Sequence, residues 1–175
     1  MGEPIRVMTV CTGNICRSPM AEVVLRARFE AAGLAGAVVV DSRGISDEEE
    51  GRPINPQARR ALVARGYPAG DEHRARQVLA EELGHRDLVL AMTGGHARAL
   101  RRLAQHTTDQ PGLIALYREL DPAAPVGGPE RLLDIEDPWS RPDAAFEVCL
   151  DQVEAAADGV VAYVVALLAG VRDGG

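Results

Sequence analysis

Short apolar runs and stretches of helical spacing alternate from one end of the chain to the other. Ile5 to Cys11, Ala37 to Val40, Asp87 to Ala91 and Leu113 to Leu116 read as strands, each bounded by polar or turn residues. After the first, Arg17-Ser18-Pro19 opens a helix whose stripe of Val24, Leu25, Phe29 and Ala32 stops at Gly33. Asn55-Pro56 starts a second, with Ala58, Leu62 and Val63 on one face and Gly66 beyond it. Thr93 is placed to cap a third, which begins near Gly95 and runs from His96 to Leu103. The last begins at Pro142 and carries Phe146, Cys149, Leu150, Val153, Val160, Val164, Leu167, Leu168 and Val171 at helical spacing, while Asp173 to Gly175 is expected to fray. Strands separated by helices imply parallel βαβ units with right-handed crossovers. The pattern predicts one α/β domain over residues 1–175, a three-layer sandwich with a central four-stranded parallel sheet flanked by helices.

A chain of 175 residues is long enough for a proper core. Hydrophobic residues at 46% against charged residues at 26% are the balance of a soluble globular protein. Nineteen basic and twenty-six acidic residues leave a formal charge of -7, which argues against a general binder of nucleic acid or of an anionic membrane. Every basic side chain of the Lys/Arg class is arginine, and with the abundance of alanine and glycine this reads as nucleotide-composition bias without functional weight. The longest apolar run, Val160 to Val171, is well short of the ~20 residues that span a bilayer. No basic region followed by an apolar stretch opens the chain, and Arg6 stands where a myristoylation motif has Ser or Thr. The expected location is cytoplasmic. Three cysteines, an odd number, fit a reducing compartment better than a disulfide framework. Cys11 and Cys16 have no second Cys/His pair of ligand spacing, so no metal site is expected.

The chemistry concentrates at the end of the first strand. Cys11-Thr-Gly-Asn-Ile-Cys-Arg-Ser18 is a short loop running into a helix start. Its Cys-x5-Arg spacing lets the intervening N–H groups turn inward around one point, with the positive end of the helix dipole behind them. Such a cradle suits a tetrahedral oxyanion, and the same field favours thiolate over thiol: a free cysteine titrates near ~8.5, and comparable settings lower this to roughly 3.5 to 7.5. Cys11 is thus a candidate nucleophile toward a bound phosphorus, and Arg17 a bidentate grip on two equatorial oxygens. The spacing alone is equally compatible with an ordinary strand-to-helix turn, in which Gly13 and Asn14 supply positive φ and Cys11 is a small hydrophobe. Asp41-Ser42-Arg43-Gly44 lies at the carboxyl end of the second strand, which in a parallel sheet faces the same crevice, although these residue types also make plain turns. Ser46 to Pro53 reads as an exposed acidic loop, and residues 121–138 as a long Pro- and Gly-rich loop of the kind that tends to carry function. Within the latter, Asp137-Pro138-Trp139 offers a proton donor on a stiff backbone beside an aromatic cover, or else an ordinary Asp-Pro turn. Asp134 and Glu136 are competing carboxylates, and the register with Pro138 favours Asp137.

The string Cys11-Thr-Gly-Asn-Ile-Cys-Arg-Ser-Pro-Met-Ala-Glu22 resembles the signature of the low-molecular-weight protein tyrosine phosphatases, in which it also lies near the N-terminus. Asp137-Pro138-Trp139 resembles that family's Asp-Pro-aromatic segment, and His73-Arg-Ala-Arg-Gln77 its His-x-Ala-Arg-Gln string. The resemblance extends over nearly the whole chain and implies hydrolysis of phosphotyrosine and small aryl phosphates in two steps. Cys11 would attack the phosphorus while Asp137 protonates the tyrosyl oxygen; water would then open the cysteinyl-phosphate with Asp137 as base. Arg17 and the loop through Thr12, Gly13, Asn14, Ile15, Cys16 and Ser18 would bind the phosphate after the first strand. Ser18 would donate a hydrogen bond to Cys11, Asn14 would brace the loop against Ser42 and His73, and Trp139 and Glu48 would wall the substrate cleft. His85, His96 and His106 have no motif around them and are expected on the surface; Cys149 is expected as a buried structural thiol. No metal or organic cofactor is implied. The implied partners are phosphotyrosine-containing proteins, met by a monomer or weak dimer.

Two positions depart from the family's pattern: carboxylates surround Glu48, where an aromatic residue is usual, and Thr93 stands in place of an aspartate. These departures support a rival, a weakly catalytic phosphate-binding module. An arsenate reductase of the same fold would need resolving cysteines, and none lies between Cys16 and Cys149; Cys16 could instead pair reversibly with Cys11 under oxidation. A protein-arginine phosphatase would carry threonine at Ile15, whose apolar side chain suits an aromatic ring.

Overall fold

β1 (Ile5–Cys11) is buried on both faces, and its alternation divides the core: Val7 and Cys11 join one apolar cluster, Met8 and Val10 the other. The computed structural model describes residues 2–173, with side chains as far as residue 170, so the place of Val171 on the last stripe and the end of the tail lie outside the described residues. β2 (Val38–Gly44) pairs parallel on one side of β1 and β3 (Leu88–Ala91) on the other, and β4 (Leu113–Leu116) completes a sheet of order β2-β1-β3-β4. α1 (Arg17–Ala31), α2 (Pro56–Ala64) and α5 (Asp143–Asp173) cover one face, while α3 (Ala80–Leu83) and α4 (Gly94–Ala104) cover the other. This is the predicted three-layer α/β arrangement with four parallel strands. The order places the topological switch between β1 and β3, so the loop after β1 and the start of α4 face each other across the crevice at the carboxyl ends of the strands.

Local signals explain most boundaries. Asn55 caps α2, its Oδ1 accepting from the N–H groups of Gln57 at 2.8 Å and Ala58 at 3.3 Å. Thr93 Oγ1 accepts from the His96 N–H at 3.2 Å and caps α4 as expected. Gly33, at φ +73°, ends α1. β2 extends four residues beyond its apolar run, because its pairing is made by backbone: Asp41, Ser42, Arg43 and Gly44 lie beside Met8, Thr9, Val10 and Cys11. Val63 departs from expectation. The buried residues of α2 are Ala58, Ala61 and Leu62, and Val63, about 100° further round the helix, is 49% exposed. The short α3 and the 3-10 turns Tyr117–Leu120 and Glu130–Leu133 are too brief to register as periodicity, and the last of these lies inside the predicted long loop.

α5 is the longest element. By length and composition alone its span Asp143–Gly170 could cross a membrane. Its buried residues Phe146, Cys149, Leu150, Val153, Ala156, Ala157, Val160 and Val164 belong to the core beside α1 and the first 3-10 turn. Tyr117 is anchored there by its hydroxyl, which donates to Val153 O at 2.9 Å.

Candidate active site

Cys11 ends β1 and Arg17 begins α1, so the five residues between them must reverse the chain within one loop. The carbonyls of this loop are held outward by protein donors. Cys11 O accepts from Ile45 N–H at 2.9 Å, Thr12 O from Ser46 N–H at 3.0 Å, Ile15 O from Asn55 N–H at 2.8 Å and Cys16 O from Met20 N–H at 3.2 Å. Because C=O and N–H of one trans peptide unit point in opposite directions, the amides that follow these carbonyls face the inside of the loop, above Cys11. Asn14 makes the turn possible at φ 60°. Its side chain is fixed from both ends: Nδ2 donates to Ser18 Oγ at 2.8 Å and to Ser42 Oγ at 2.9 Å, and Oδ1 accepts from Arg76 N–H at 2.9 Å. His73 Nε2 donates at 2.6 Å to the backbone carbonyl of Asn14, not to its side chain, and burial holds the His73 pKa below the usual value. Ser42 in turn donates to Glu22. Gly44 supports the same loop by having no side chain: a Cβ there would meet Thr12 O at 2.7 Å and Gly13 C at 3.1 Å.

Cys11 Sγ lies 3.1 Å from Ser18 Oγ, which also receives the Asn14 amide. Since that amide can only donate, the Ser18 hydroxyl hydrogen is left for one of two acceptors, the Cys11 sulfur or the Arg43 carbonyl at 3.3 Å. Arg17 is 4% exposed. Its NH1 donates to Ile135 O at 2.9 Å, its NH2 approaches Asp137 Oδ2 and Thr12 Oγ1 at 3.5 Å each, and its buried Nε has no partner among the described residues. The guanidinium is thus anchored by one nitrogen, leaving the Nε and NH2 edge for a bidentate grip. Cys16 and Cys149 are buried thiols, both held in the neutral form by desolvation, Cys149 being pushed up to about 12.

A cavity of about 140 Å³ opens above the loop, lined by Cys11, Thr12, Arg17, Glu48, Asp137 and Trp139 among others. Of the three carboxylates in the segment before Trp139, only Asp137 reaches it: Asp134 Oδ1 accepts from Gly94 N–H at 2.8 Å, and Glu136 pairs with Arg141 at 3.1 Å. Asp137 Oδ1 accepts from Trp139 N–H at 3.1 Å, which ties the carboxylate to the aromatic residue two positions on. A groove of about 810 Å³ between α1 and residues 68–76 is larger, but it holds no cysteine and meets the loop from behind, through Ser42, Arg43, His73 and Arg76. The smaller cavity is where Cys11, Arg17 and Asp137 meet, and its size suits one tetrahedral group.

His96 corrects the expectation of a surface residue. It is 8% exposed, with Nε2 2.8 Å from Thr12 Oγ1, because the first turn of α4 faces the loop after β1 across the switch point. Its pKa is lowered to about 4, chiefly by burial and then by the Arg17 charge. Nothing in the local sequence signals this contact, which joins residues 84 positions apart. His85 and His106 are exposed as expected.

Sequence comparison gives the same picture from outside the fold. The model of the family "Low molecular weight phosphotyrosine protein phosphatase" matches residues 6–167. A low molecular weight protein-tyrosine-phosphatase of Streptomyces coelicolor is 46% identical over 159 residues, 91% of this chain and 93% of that relative. Low molecular weight protein-tyrosine phosphatase A of Mycobacterium tuberculosis is 37% identical over 160 residues, 91% of both chains. Among solved structures, a low molecular weight protein tyrosine phosphatase from T. tengcongensis superposes with a TM-score of 0.75 at 31% identity, over 91% of this chain and 99% of that one. With a match of this length in family model, relatives and fold alike, the chain belongs to the low molecular weight phosphotyrosine protein phosphatase family.

Proposed function

We propose that this chain hydrolyses phosphotyrosine on proteins, and small aryl phosphates, through a cysteinyl-phosphate intermediate. The observation that carries the reading is the convergence of Cys11, Arg17 and Asp137 on one small cavity whose floor is a loop of inward amides. Cys11 attacks phosphorus as the thiolate, and Asp137 delivers a proton to the departing tyrosyl oxygen. Water then attacks the phosphorus with Asp137 as base, and the sulfur leaves as thiolate beside the Ser18 hydroxyl. Arg17 and the amides of the loop from Thr12 to Arg17 stabilise the equatorial charge in both transition states.

Trp139, 56% exposed on the rim, supplies a face for the substrate ring. Glu48 and Glu49 line the same cavity, so peptides with basic or neutral residues beside the phosphotyrosine are the expected substrates. In the same reading the protein acts in a reducing compartment as a monomer or weak dimer, in keeping with three free and buried cysteines.

Hydrolysis of a small aryl phosphate near pH 6 without added metal tests this. Native protein turns it over, Cys11→Ser does not, and Asp137→Ala is slower by about 10² to 10⁴. Binding of phosphate without turnover by the native protein would instead establish the binding-module alternative.

A further inference from the structure

We propose that the hydroxyl of Thr12 donates a hydrogen bond to the bound phosphoryl group and that His96 is the positioning residue that aims it. This rests on the phosphatase reading for its substrate, a phosphate monoester, but on different atoms. His96 Nε2 lies 2.8 Å from Thr12 Oγ1, while His96 Nδ1 is buried with no hydrogen-bond partner among the described residues.

A neutral imidazole carries one N–H, and the two places for it differ here. A proton on Nδ1 would be a buried donor with nothing to receive it, whereas a proton on Nε2 leaves only a bare lone pair at Nδ1 and sets N–H against Thr12 Oγ1. Arg17 NH2 approaches the same oxygen at 3.5 Å and can only donate. Both neighbours of Thr12 Oγ1 are therefore donors, and the threonine's own hydrogen must be directed elsewhere. Thr12 is exposed at the mouth of the cavity that also holds Cys11 and Arg17, so its hydrogen is free to turn toward a phosphoryl group bound there. An O–H aimed there adds a side-chain donor to the ring of amides.

The arrangement needs the ring neutral, because a protonated imidazole would place a second cation beside Arg17. Burial and Arg17 both act against that proton, while Asp134 and Asp137 act weakly in the other direction. Position in the fold explains why a helix so far along the chain supplies this residue: α4 starts from β3, the neighbour of β1 across the switch point.

The test compares native protein, Thr12→Val, His96→Leu, His96→Asn, His96→Gln and the Thr12→Val/His96→Leu double variant. Each is measured for kcat and KM on a small aryl phosphate near pH 6 and for calorimetric affinity for inorganic phosphate, with thermal midpoints to establish folding. Loss of one hydrogen bond to the anionic phosphoryl group lowers kcat/KM and phosphate affinity at least about tenfold in Thr12→Val. His96→Leu and His96→Asn, whose amide stops short of Thr12, match that loss within about twofold, and the double variant is no worse than either single one. His96→Gln, whose Nε2 reaches the position of the imidazole Nε2, recovers most of the loss. Native behaviour of Thr12→Val, or losses that multiply in the double variant, overturns the proposal. If native protein binds phosphate and hydrolyses nothing, the phosphatase reading fails, and the phosphate affinities alone still decide whether Thr12 and His96 act as one unit.

Discussion

Replacing His96 with leucine removes a ring that folding forces to be neutral, and the consequence is a stability difference that changes with pH. In the unfolded chain a histidine titrates near ~6.5. In the folded protein His96 is lowered to about 4 by burial and by Arg17. Between those values the unfolded chain takes up a proton that the folded one refuses, so the native protein loses stability as pH falls from about 6.5 through about 4. At ~1.36 kcal/mol for each pH unit the loss amounts to ~3 kcal/mol.

His96→Leu has no such proton to refuse. Its stability relative to the native protein therefore rises by ~3 kcal/mol on going from pH 7 to pH 4. The carboxylates near the ring, Asp134 and Asp137, and His73 on the other side of the loop are present in both proteins, so their contributions cancel to first order in the difference. Urea unfolding of both proteins at intervals across this range measures it directly. A difference that stays constant within about 0.5 kcal/mol would show that water or a local rearrangement reaches the ring, and that burial does not hold it neutral.

Three further outcomes follow from single positions. Gly44→Ala places a methyl group against the carbonyl of Thr12, so kcat/KM on an aryl phosphate is expected to fall at least tenfold while circular dichroism keeps the native pattern. Asn55→Ala removes both side-chain bonds that cap α2 and lowers unfolding free energy by ~1 kcal/mol in urea titration. Glu48→Gln removes a carboxylate from the cavity wall, and phosphopeptide kinetics should show KM falling for acidic peptides and rising for basic ones, with kcat little changed.

The strands, three of the major helices and the long α5 were legible because each is a local matter: apolar run, stripe, cap and terminating glycine all lie within a few residues of one another. The loop from Cys11 to Ser18 was legible for the same reason, since its spacing, its glycine and its positive-φ asparagine are contiguous. Pairing of backbone with backbone leaves no such mark. Asp41 to Gly44 are polar or small, yet they complete β2 because β1 supplies the partner groups, and Gly44 is needed for the approach of a loop thirty residues earlier in the chain.

The sequence by itself determined the class of fold, and short spacing together with the family resemblance named a candidate anion cradle, nucleophile, cation and acid. Only the tertiary structure decided what surrounds them. It gave Asp134 and Glu136 partners away from the cavity that Asp137 lines, directed His73 to a carbonyl of Asn14, and drew His96 from its expected place on the surface to Thr12. The physical reason is the order of the sheet. Placing β3 beside β1 brings together two strand ends that are far apart in the chain, and the contacts made there depend on direction and distance, which no periodicity records.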